Sequence, residues 1–379
     1  MRTLAITTFA FAALVCLGPT PAHAWGGKEH VQFTRIAAAR LISAADTPPA
    51  MKDWLRSLVP TPLDPAGERQ FLMTARVGTQ THNAGGGVLA WAMIPDERAT
   101  NDPKHVKRQP FNQSERLMHF VDVELFLQGD TPRAYRDDLS GKPDIDAIPK
   151  NWRDDRFQQA GYLPFAVEHA YRQLVRNIRQ ERWQPAVDRR SPGPTPADAA
   201  AEDVEDSALK WAGYLAHYAQ DNTQPHHATV DYKSASYFAD KRRAPNVHAE
   251  MEWRLVDDEA DDFPALREAY WNLFERALRD LDDPVAGEPD PWRATLMVSL
   301  RSYDALPLIG RAAAAARVAS PEADRFDRID TAKFFAFRGE VPGLGEISVL
   351  ELKARQGAWA VKRTETLWKQ AWIEATSRR

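Results

Sequence analysis

Two histidine–carboxylate pairs are the residues of this sequence whose types and spacing are best suited to chemistry. His217 and Asp221 lie four positions apart, and so do His248 and Glu252. Because an α-helix completes a turn about every 3.6 residues, both members of a pair would project from the same face of a helix. Imidazole nitrogens and carboxylate oxygens suit a borderline divalent cation such as zinc. The two pairs therefore predict a metal site.

A further histidine lies between the two pairs. Pro225 is predicted to end the helix that carries the first pair and to leave His227 on the turn that follows. His226 competes with His227 for this role. Three histidines and two carboxylates exceed what one ion takes from a single segment. The stretch therefore predicts a polynuclear metal site, with the missing ligands supplied from elsewhere in the chain.

The composition of the 379-residue chain is that of an ordinary folded protein. Hydrophobic residues make up 44% of the chain and charged residues 27%, which is enough for one large core or two small ones. The net charge of −4 gives no overall attraction to nucleic acid or to anionic membranes. Cys16 is the only cysteine, so any metal would be held by nitrogen and oxygen donors.

Residues 1–24 have the pattern of a cleaved secretory signal peptide. Arg2 precedes a short apolar run over residues 4–17, and residues 21–24 read Pro-Ala-His-Ala, a small-x-small cleavage site. This run is too short to span a bilayer as an ordinary transmembrane helix, and no later segment is apolar for long enough to form a stable membrane anchor. The sequence therefore predicts a periplasmic or secreted protein whose mature chain begins at Trp25.

Helical periodicity dominates the rest of the sequence, and β-branched alternation is scarce. The prediction is an all-α fold with a single helical domain over residues 25–379, in which 185–200 and 282–295 are linkers or excursions. The principal helices are expected over residues 30–42, 51–59, 163–182, 197–224, 248–255, 263–281 and 347–375. Shorter elements are expected at 69–79, 296–308 and 329–337. Residues 101–113, 128–158 and 230–246 are expected to form loops.

The chemistry-bearing residues together resemble the superfamily of zinc-dependent phospholipases C and single-strand-specific nucleases, whose members are all-helical and hold three zinc ions. The stretch Trp25-Gly-Gly-Lys-Glu-His30, directly after a cleavage site, is similar to the metal-binding N-terminus of that family. His217-x3-Asp221-x5-His227 is similar to its central motif. The matching ligand positions span residues 25–252, whereas the chain after about residue 290 matches only as generic helices.

The remaining family positions are filled by residues from three further stretches. His248-x3-Glu252 is similar to the last ligand pair of the family, and His119 lies in a matching His-Phe-Val-Asp stretch. Asp96 occupies the upstream carboxylate position, for which Asp102 is a nearby alternative. The ten-residue interval from His217 favours His227 over the adjacent His226 as the ligand of the central motif.

The resemblance implies three zinc ions whose ligand sets share one carboxylate. The first zinc would be held by Asp96, His119, His217 and Asp221. The second, with positions left open for water or substrate, would be held by His227, His248 and Glu252. The third would be held by the Trp25 amine and carbonyl, His30 and Asp221. Histidines outside this set are expected to be structural: His82, His105 and His169. Asp122 and Glu250 are interpreted either as partners of the ligands or as surface charges.

The implied activity is zinc-dependent hydrolysis of a phosphate ester by a secreted, monomeric phosphodiesterase, with Asp96 as candidate proton acceptor. Glu252 as the last ligand favours the phospholipase C branch and a phospholipid head group. His119-Phe-Val-Asp122 favours the nuclease branch and single-stranded nucleic acid, although Ala99 replaces an arginine that the nuclease pattern expects. A third hypothesis is a non-catalytic secreted protein in which zinc only stabilises a cysteine-free fold.

Overall fold

The computed structural model describes residues 25–59, 63–74, 86–98, 111, 113–127, 142–180, 206–256, 262–322 and 325–377. Several sequence predictions lie outside these residues. They concern the signal peptide over 1–24, the linker 185–200, most of the predicted loop 101–113, residues 128–141 of the predicted loop 128–158, and Asp102, His82 and His105.

The described part of the chain is mostly helical, which agrees with the predicted all-α class. Its α-helices are α1 Gly27–Ser43, α2 Pro49–Leu58, α3 Pro65–Met73, α4 Gly87–Trp91, α5 Ile94–Arg98, α6 Phe157–Ala160, α7 Leu163–Arg179, α8 Ala208–Asp221, α9 Val247–Glu252, α10 Pro264–Asp280, α11 Pro291–Tyr303, α12 Leu306–Ala315, α13 Thr331–Ala336 and α14 Val349–Thr376. Short 3-10 turns lie at Glu115–Met118, Val123–Phe126, Ile145–Ala147, Pro225–Ala228, Ala235–Tyr237 and Lys241–Arg243.

Helix α14 is the axis of the helical bundle. It packs against α1, α7, α8 and α10, and α8 packs in turn against α7, α4 and α1. Buried apolar side chains from Trp25 to Trp372 form one contiguous core around these helices. The helix that carries the first histidine–carboxylate pair therefore lies in the middle of the protein, where both side chains are fully buried.

Capping residues explain where the predicted helix limits were wrong. Helix α8 begins at Ala208, where the Ser207 side chain caps it by accepting a hydrogen bond from the Lys210 backbone N–H, so the predicted helix 197–224 is not continuous at that point. Helix α11 begins at Pro291, inside the predicted linker 282–295, because Asp290 caps it and proline suits the first helical position. The predicted element 296–308 is thus two helices, α11 and α12, separated at 304–305.

Two small antiparallel sheets were not predicted. Strand β1 (Arg317–Val318) pairs with β2 (Arg328–Ile329), and β3 (Arg338–Val341) pairs with β4 (Gly345–Ser348). The predicted element at 329–337 therefore begins as a strand and becomes helix α13 only after Asp330, which caps that helix. Each sheet has only two strands, and these strands are too short to show the alternation of apolar and polar residues from which a strand is predicted.

Within the described residues, no helix is both long enough and apolar enough to cross a membrane.

Candidate metal centre

The first histidine–carboxylate pair lies on one face of α8, as the spacing predicted. His217 Nε2 is 3.2 Å from Asp221 Oδ2, and neither side chain is exposed to solvent. The helix ends at Asp221, and the chain turns into the 3-10 segment Pro225–Ala228, which carries His227. Proline at the first position of that segment fits the predicted break. The end of α8 and the turn after it therefore bring three candidate ligands into the interior.

Four of the predicted ligands converge in the interior, and we call this group site A. His119 Nδ1 lies 2.9 Å from Asp221 Oδ2, 3.1 Å from His217 Nε2 and 3.6 Å from Asp96 Oδ1. His217 Nε2 lies 3.6 Å from the same Asp96 oxygen. Ligands at 2.0–2.1 Å from a tetrahedral zinc are about 3.3–3.4 Å apart, so these spacings match a zinc coordination shell.

The second oxygen of Asp221 faces a different histidine, and we call this pair site C. His30 Nε2 is 3.3 Å from Asp221 Oδ1, whereas Asp221 Oδ2 belongs to site A. The His30 ring stacks on the His217 ring with centroids 4.1 Å apart. One carboxylate thus presents its two oxygens to two groups of nitrogen donors, which is the geometry of a bridging ligand.

The second histidine–carboxylate pair forms site B with His227. His248 and Glu252 lie on α9, one turn apart, and the His248 Nε2 atom contacts Glu252 Oε1. His227 Nε2 is 3.2 Å from His248 Nε2 and 3.4 Å from Glu252 Oε1. His226, the competing histidine, instead places its Nε2 3.1 Å from the Ser234 hydroxyl. The geometry therefore favours His227, as the spacing did.

Hydrogen bonds behind the ligands fix which ring nitrogen faces each site. His217 Nδ1 lies 2.7 Å from the Ala92 carbonyl, and His227 Nδ1 contacts the His119 carbonyl. A carbonyl only accepts, so both Nδ1 atoms must carry the proton, and both Nε2 atoms are left with a lone pair. His30 Nδ1 lies 2.7 Å from Gln220 Oε1, which has the same effect. Three candidate ligands are thus held in the tautomer that binds metal.

Two glutamines that sequence reasoning did not identify hold ligands in place. The Gln220 amide N–H₂ donates to the Thr34 hydroxyl at 2.9 Å, so its oxygen is directed at His30. The Gln224 amide donates to Glu252 Oε1 at 3.1 Å, while its own oxygen accepts from the His226 backbone. Both glutamines lie beside ligands in the central motif, but nothing in a single sequence distinguishes them from other buried polar residues.

Protonation of histidines balances the carboxylates of this centre when no cation is bound. Burial alone would lower the pKa of His30, but the Asp221 carboxylate and the charge of Asp96 raise it to about 9. The pKa of His119 is raised in the same way, and the pKa of Asp221 is held well below its usual range by His217, His119 and His30 despite burial. Protonated histidines thus neutralise the carboxylates where a dication would otherwise do so.

Buried atoms that make no hydrogen bond also bear on whether a metal fits. Among the described residues they include His30 Nε2, His119 Nε2 and Asp221 Oδ1 in this centre, as well as Trp54 Nε1 and Gln356 Nε2 outside it, and His30 Nε2 and Asp221 Oδ1 lie 3.3 Å apart. Leaving a buried polar atom without a partner costs about 1–3 kcal/mol, and buried groups of this kind are rare in native proteins. His30 Nε2 and Asp221 Oδ1 point into site C. A nitrogen and oxygen donor set of this kind could hold a divalent metal ion.

Trp25 is fully buried beside the end of α8. Its indole N–H donates to the Gln220 carbonyl at 2.8 Å and lies 3.3 Å from the Thr223 hydroxyl. The indole is therefore anchored one residue from Asp221, and His30 follows on the first turns of α1. The predicted role of the Trp25 amine depends on cleavage of residues 1–24, which lie outside the described residues, and it stays a prediction.

A cavity of about 430 Å³ opens beside sites A and B. His119, His227 and His248 form its floor. Its walls are lined mainly by Arg116, Leu117, Phe120, Asp122, Val230 and Tyr232. Asp122 is thus neither a surface charge nor a hydrogen-bond partner of a ligand, since it is buried and lines the cavity. Glu250 is also buried, and it accepts a hydrogen bond from Thr331.

His169 fits the structural role that was predicted for it. Its ring lies edge-on to Trp211 and Phe111, with centroids 5.3 and 6.0 Å away. Burial, together with the charges of Arg176 and Lys210, lowers its pKa to about 4. It is therefore a neutral histidine in an aromatic environment.

Replacing Gly213 with alanine should destabilise the protein and disturb His217. An added Cβ would lie 2.3 Å from Trp91 Cβ, so α8 and α4 could no longer approach each other as closely. Overpacking of this kind costs about 1–3 kcal/mol, although alanine favours a helix over glycine by about 1 kcal/mol. Urea unfolding measures the change. Gly287→Ala, where an added Cβ meets nothing within 4 Å, is the control, and a stabilised Gly213→Ala protein would contradict the close approach.

Replacing Glu124 with glutamine should stabilise the chelator-treated protein more at pH 8 than at pH 5. Burial raises the pKa of Glu124 from 4.5 to about 7, so rising pH ionises the unfolded chain first and stability falls between these values. Glutamine keeps an oxygen for the Thr229 hydroxyl and the Val230 N–H and does not titrate. The gain in unfolding free energy should grow by about 2–3 kcal/mol from pH 5 to pH 8. A gain independent of pH would show that Glu124 is not the titrating group.

Comparison of this chain with protein-family models, with curated proteins and with solved structures gives no match.

Proposed function

We propose that this protein is an exported, zinc-dependent phosphodiesterase of the phospholipase C type. The observation that carries the proposal is the position of Asp221. Its two oxygens face sites A and C, and site B adjoins site A because the His227 ring contacts the His119 carbonyl. Three clustered metal positions next to an accessible cavity suit the hydrolysis of a phosphate ester, which needs charge neutralisation on several oxygens at once.

Bound zinc would supply a water of lowered pKa, near 7, and positive charge for the phosphate oxygens. The chain itself supplies the ligands, the cavity and the proton acceptor. Asp96 is buried within site A and is the proposed acceptor of the proton from the attacking water. Arg116 lines the cavity and brings a permanent positive charge to the side where an anionic substrate would enter.

Among the residues that the structure describes, site B has three candidate protein ligands, and three ligands favour catalysis over a purely structural role. Structural zinc sites are almost always closed by four protein ligands, whereas catalytic sites leave a position for water or substrate. His227 and His248 both line the cavity, so an open position at site B would be accessible from it. A non-catalytic zinc protein would need a fourth protein ligand at this site.

The lining of the cavity favours a phospholipid over nucleic acid. Leu117, Phe120 and Val230 give the cavity an apolar wall, and Arg116 is the one arginine or lysine among the described residues that line it. Single-strand nucleases need a positively charged groove that follows the backbone. The aromatic rings of Phe120 and Tyr232 would also suit base stacking, so a single-strand-specific nuclease is the second candidate.

Parallel assays on the zinc-loaded mature protein test this function. The substrates are phosphatidylcholine in mixed micelles, single-stranded DNA and a chromogenic phosphodiester, each with and without a chelator. We expect chelator-sensitive release of phosphocholine, with weaker cleavage of the chromogenic diester. Preferential cleavage of DNA would establish the nuclease alternative. Full zinc occupancy with no activity on any substrate would contradict the enzyme proposal, and the intact mass of the exported protein would test cleavage before Trp25.

A further inference from the structure

Helix α9 is too short to be stable alone, yet it carries two of the three site B ligands. It has only the six residues Val247–Glu252, and isolated helices shorter than about 12 residues are marginal in water. The last carbonyls of any helix also lack partners within the helix. Something outside α9 must therefore hold its C-terminal end if Glu252 is to stay aligned with His227 and His248.

The side chain that meets this end of α9 is Lys353, from the middle of α14. Its Nζ donates to the Met251 carbonyl at 2.7 Å and to the Glu252 carbonyl at 3.2 Å. A positive charge at a helix C-terminus is favourable because it offsets the partial negative charge of the free carbonyls. Lys353 thus holds the backbone of a candidate metal ligand from a helix to which sequence reasoning assigned no role.

Lys353 is completely buried, and its third hydrogen bond ties it to the N-terminal helix. The Nζ donates to Glu29 Oε2 at 2.9 Å, and both side chains have 0% exposure. An ammonium group has three donors, so all of them are used. The cation also lies 4.7 Å from the Trp25 ring centroid and 5.3 Å from that of Tyr270, within the range of cation–π attraction.

Glu29 connects the same network to site C. It immediately precedes His30 on α1, and its other oxygen accepts a hydrogen bond from the Tyr270 hydroxyl at 2.7 Å. The Lys353–Glu29 pair therefore joins the segment of site C to the end of the helix of site B. Buried ion pairs of this kind seldom stabilise a protein more than apolar side chains of the same size would. A contribution to stability therefore does not by itself explain the buried Lys353–Glu29 pair.

We infer that Lys353 is a positioning residue for the metal centre. It fixes the last carbonyls of α9, which keeps the Glu252 carboxylate directed at His227 and His248, and through Glu29 it holds that helix in register with the segment from Trp25 to His30. The inference rests on the proposed function in one respect, namely that Glu252 is a zinc ligand.

Zinc affinity of neutral-pair variants tests this role. Lys353→Met leaves Glu29 buried without its cation, so the decisive protein is the double variant Lys353→Met/Glu29→Gln, which contains no unpaired buried charge. The matched control is Arg363→Met/Asp283→Asn, which neutralises another buried ion pair of α14, with Nη1 and Oδ2 2.8 Å apart and neither residue a candidate ligand. Zinc dissociation constants come from chelator competition, and the visible spectrum of the cobalt-substituted protein reports coordination. Urea unfolding of the metal-free proteins measures stability.

We expect the Lys353 double variant to bind the weakest of three zinc ions about 10–100-fold less tightly than the wild type, as for other residues that orient ligands. Its cobalt spectrum should change, and the Arg363 control should keep the wild-type constants and spectrum at similar metal-free stability. Wild-type zinc affinity in the Lys353 variant would overturn the inference and leave the proposed function intact. Equal losses of affinity in both double variants would also overturn it, as a general packing effect. A wild-type protein without zinc would overturn both the inference and the proposed function.

Discussion

The Asp221→Asn variant should bind one zinc ion instead of three and lose phosphodiesterase activity by more than about a hundredfold. One oxygen of Asp221 lies 3.3 Å from His30 Nε2, and the other lies 2.9 and 3.2 Å from the nitrogens of His119 and His217. An amide keeps the shape but removes the negative charge and presents only one oxygen. Since changing a residue that merely orients a ligand already costs about 10–100-fold in affinity, losing a shared ligand should exceed that range.

The control for this variant is Asp206→Asn, two residues before the start of α8. Asp206 accepts hydrogen bonds from Asn177 and Trp211, and it contacts none of the candidate ligands. It should keep three zinc ions and full activity. Metal content after dialysis and turnover of the chromogenic diester are the two measurements. Three zinc ions in the Asp221→Asn protein would show that this carboxylate does not bridge.

The His227→Ala variant should keep two zinc ions and lose turnover to a similar extent. Within the described part of the chain, site B consists of His227, His248 and Glu252, so removing one of them leaves two of these ligands. Two protein ligands are fewer than a catalytic zinc site normally has. Sites A and C do not include His227, so their metal content should be preserved. This variant therefore tests site B separately from sites A and C.

The adjacent histidine provides the control for the second prediction. His226 is buried, its Nε2 faces the Ser234 hydroxyl, and burial lowers its pKa well below the usual range. Because it also lines the cavity, its alanine variant is judged by metal content alone, and it should retain three zinc ions. Unchanged turnover in His227→Ala, or loss of a zinc ion from His226→Ala instead, would show that site B is wrongly assigned.

Local spacing made part of the site predictable from the sequence. The pairs His217/Asp221 and His248/Glu252 follow from the period of the helix alone, and the break at Pro225 correctly placed His227 on the next turn. His30, Asp96 and His119 were predicted as ligands only from the family resemblance. Their proximity to α8 depends on contacts between residues about 100 or more positions apart. No periodicity within one segment contains that information.

The partners of the ligands could not be predicted for the same physical reason. The carbonyl of Ala92, the amide of Gln220 and the ammonium of Lys353 each act through one specific contact that only the packed bundle creates. Helix limits were predicted wrongly where a single capping side chain begins a helix, as Ser207 and Asp290 do. The two-stranded sheets were missed because two to four residues per strand leave almost no pattern.

The most direct test of the metal centre is a crystal structure of the exported protein with anomalous difference maps recorded on both sides of the zinc absorption edge. Three peaks are expected: one within the Asp96, His119, His217 and Asp221 group, one between His30 and the other oxygen of Asp221, and one among His227, His248 and Glu252. All three should vanish below the edge. If protein with full phosphodiesterase activity showed no peak at site A and none at site C, Asp221 would not bridge two metal ions, and the account would be contradicted.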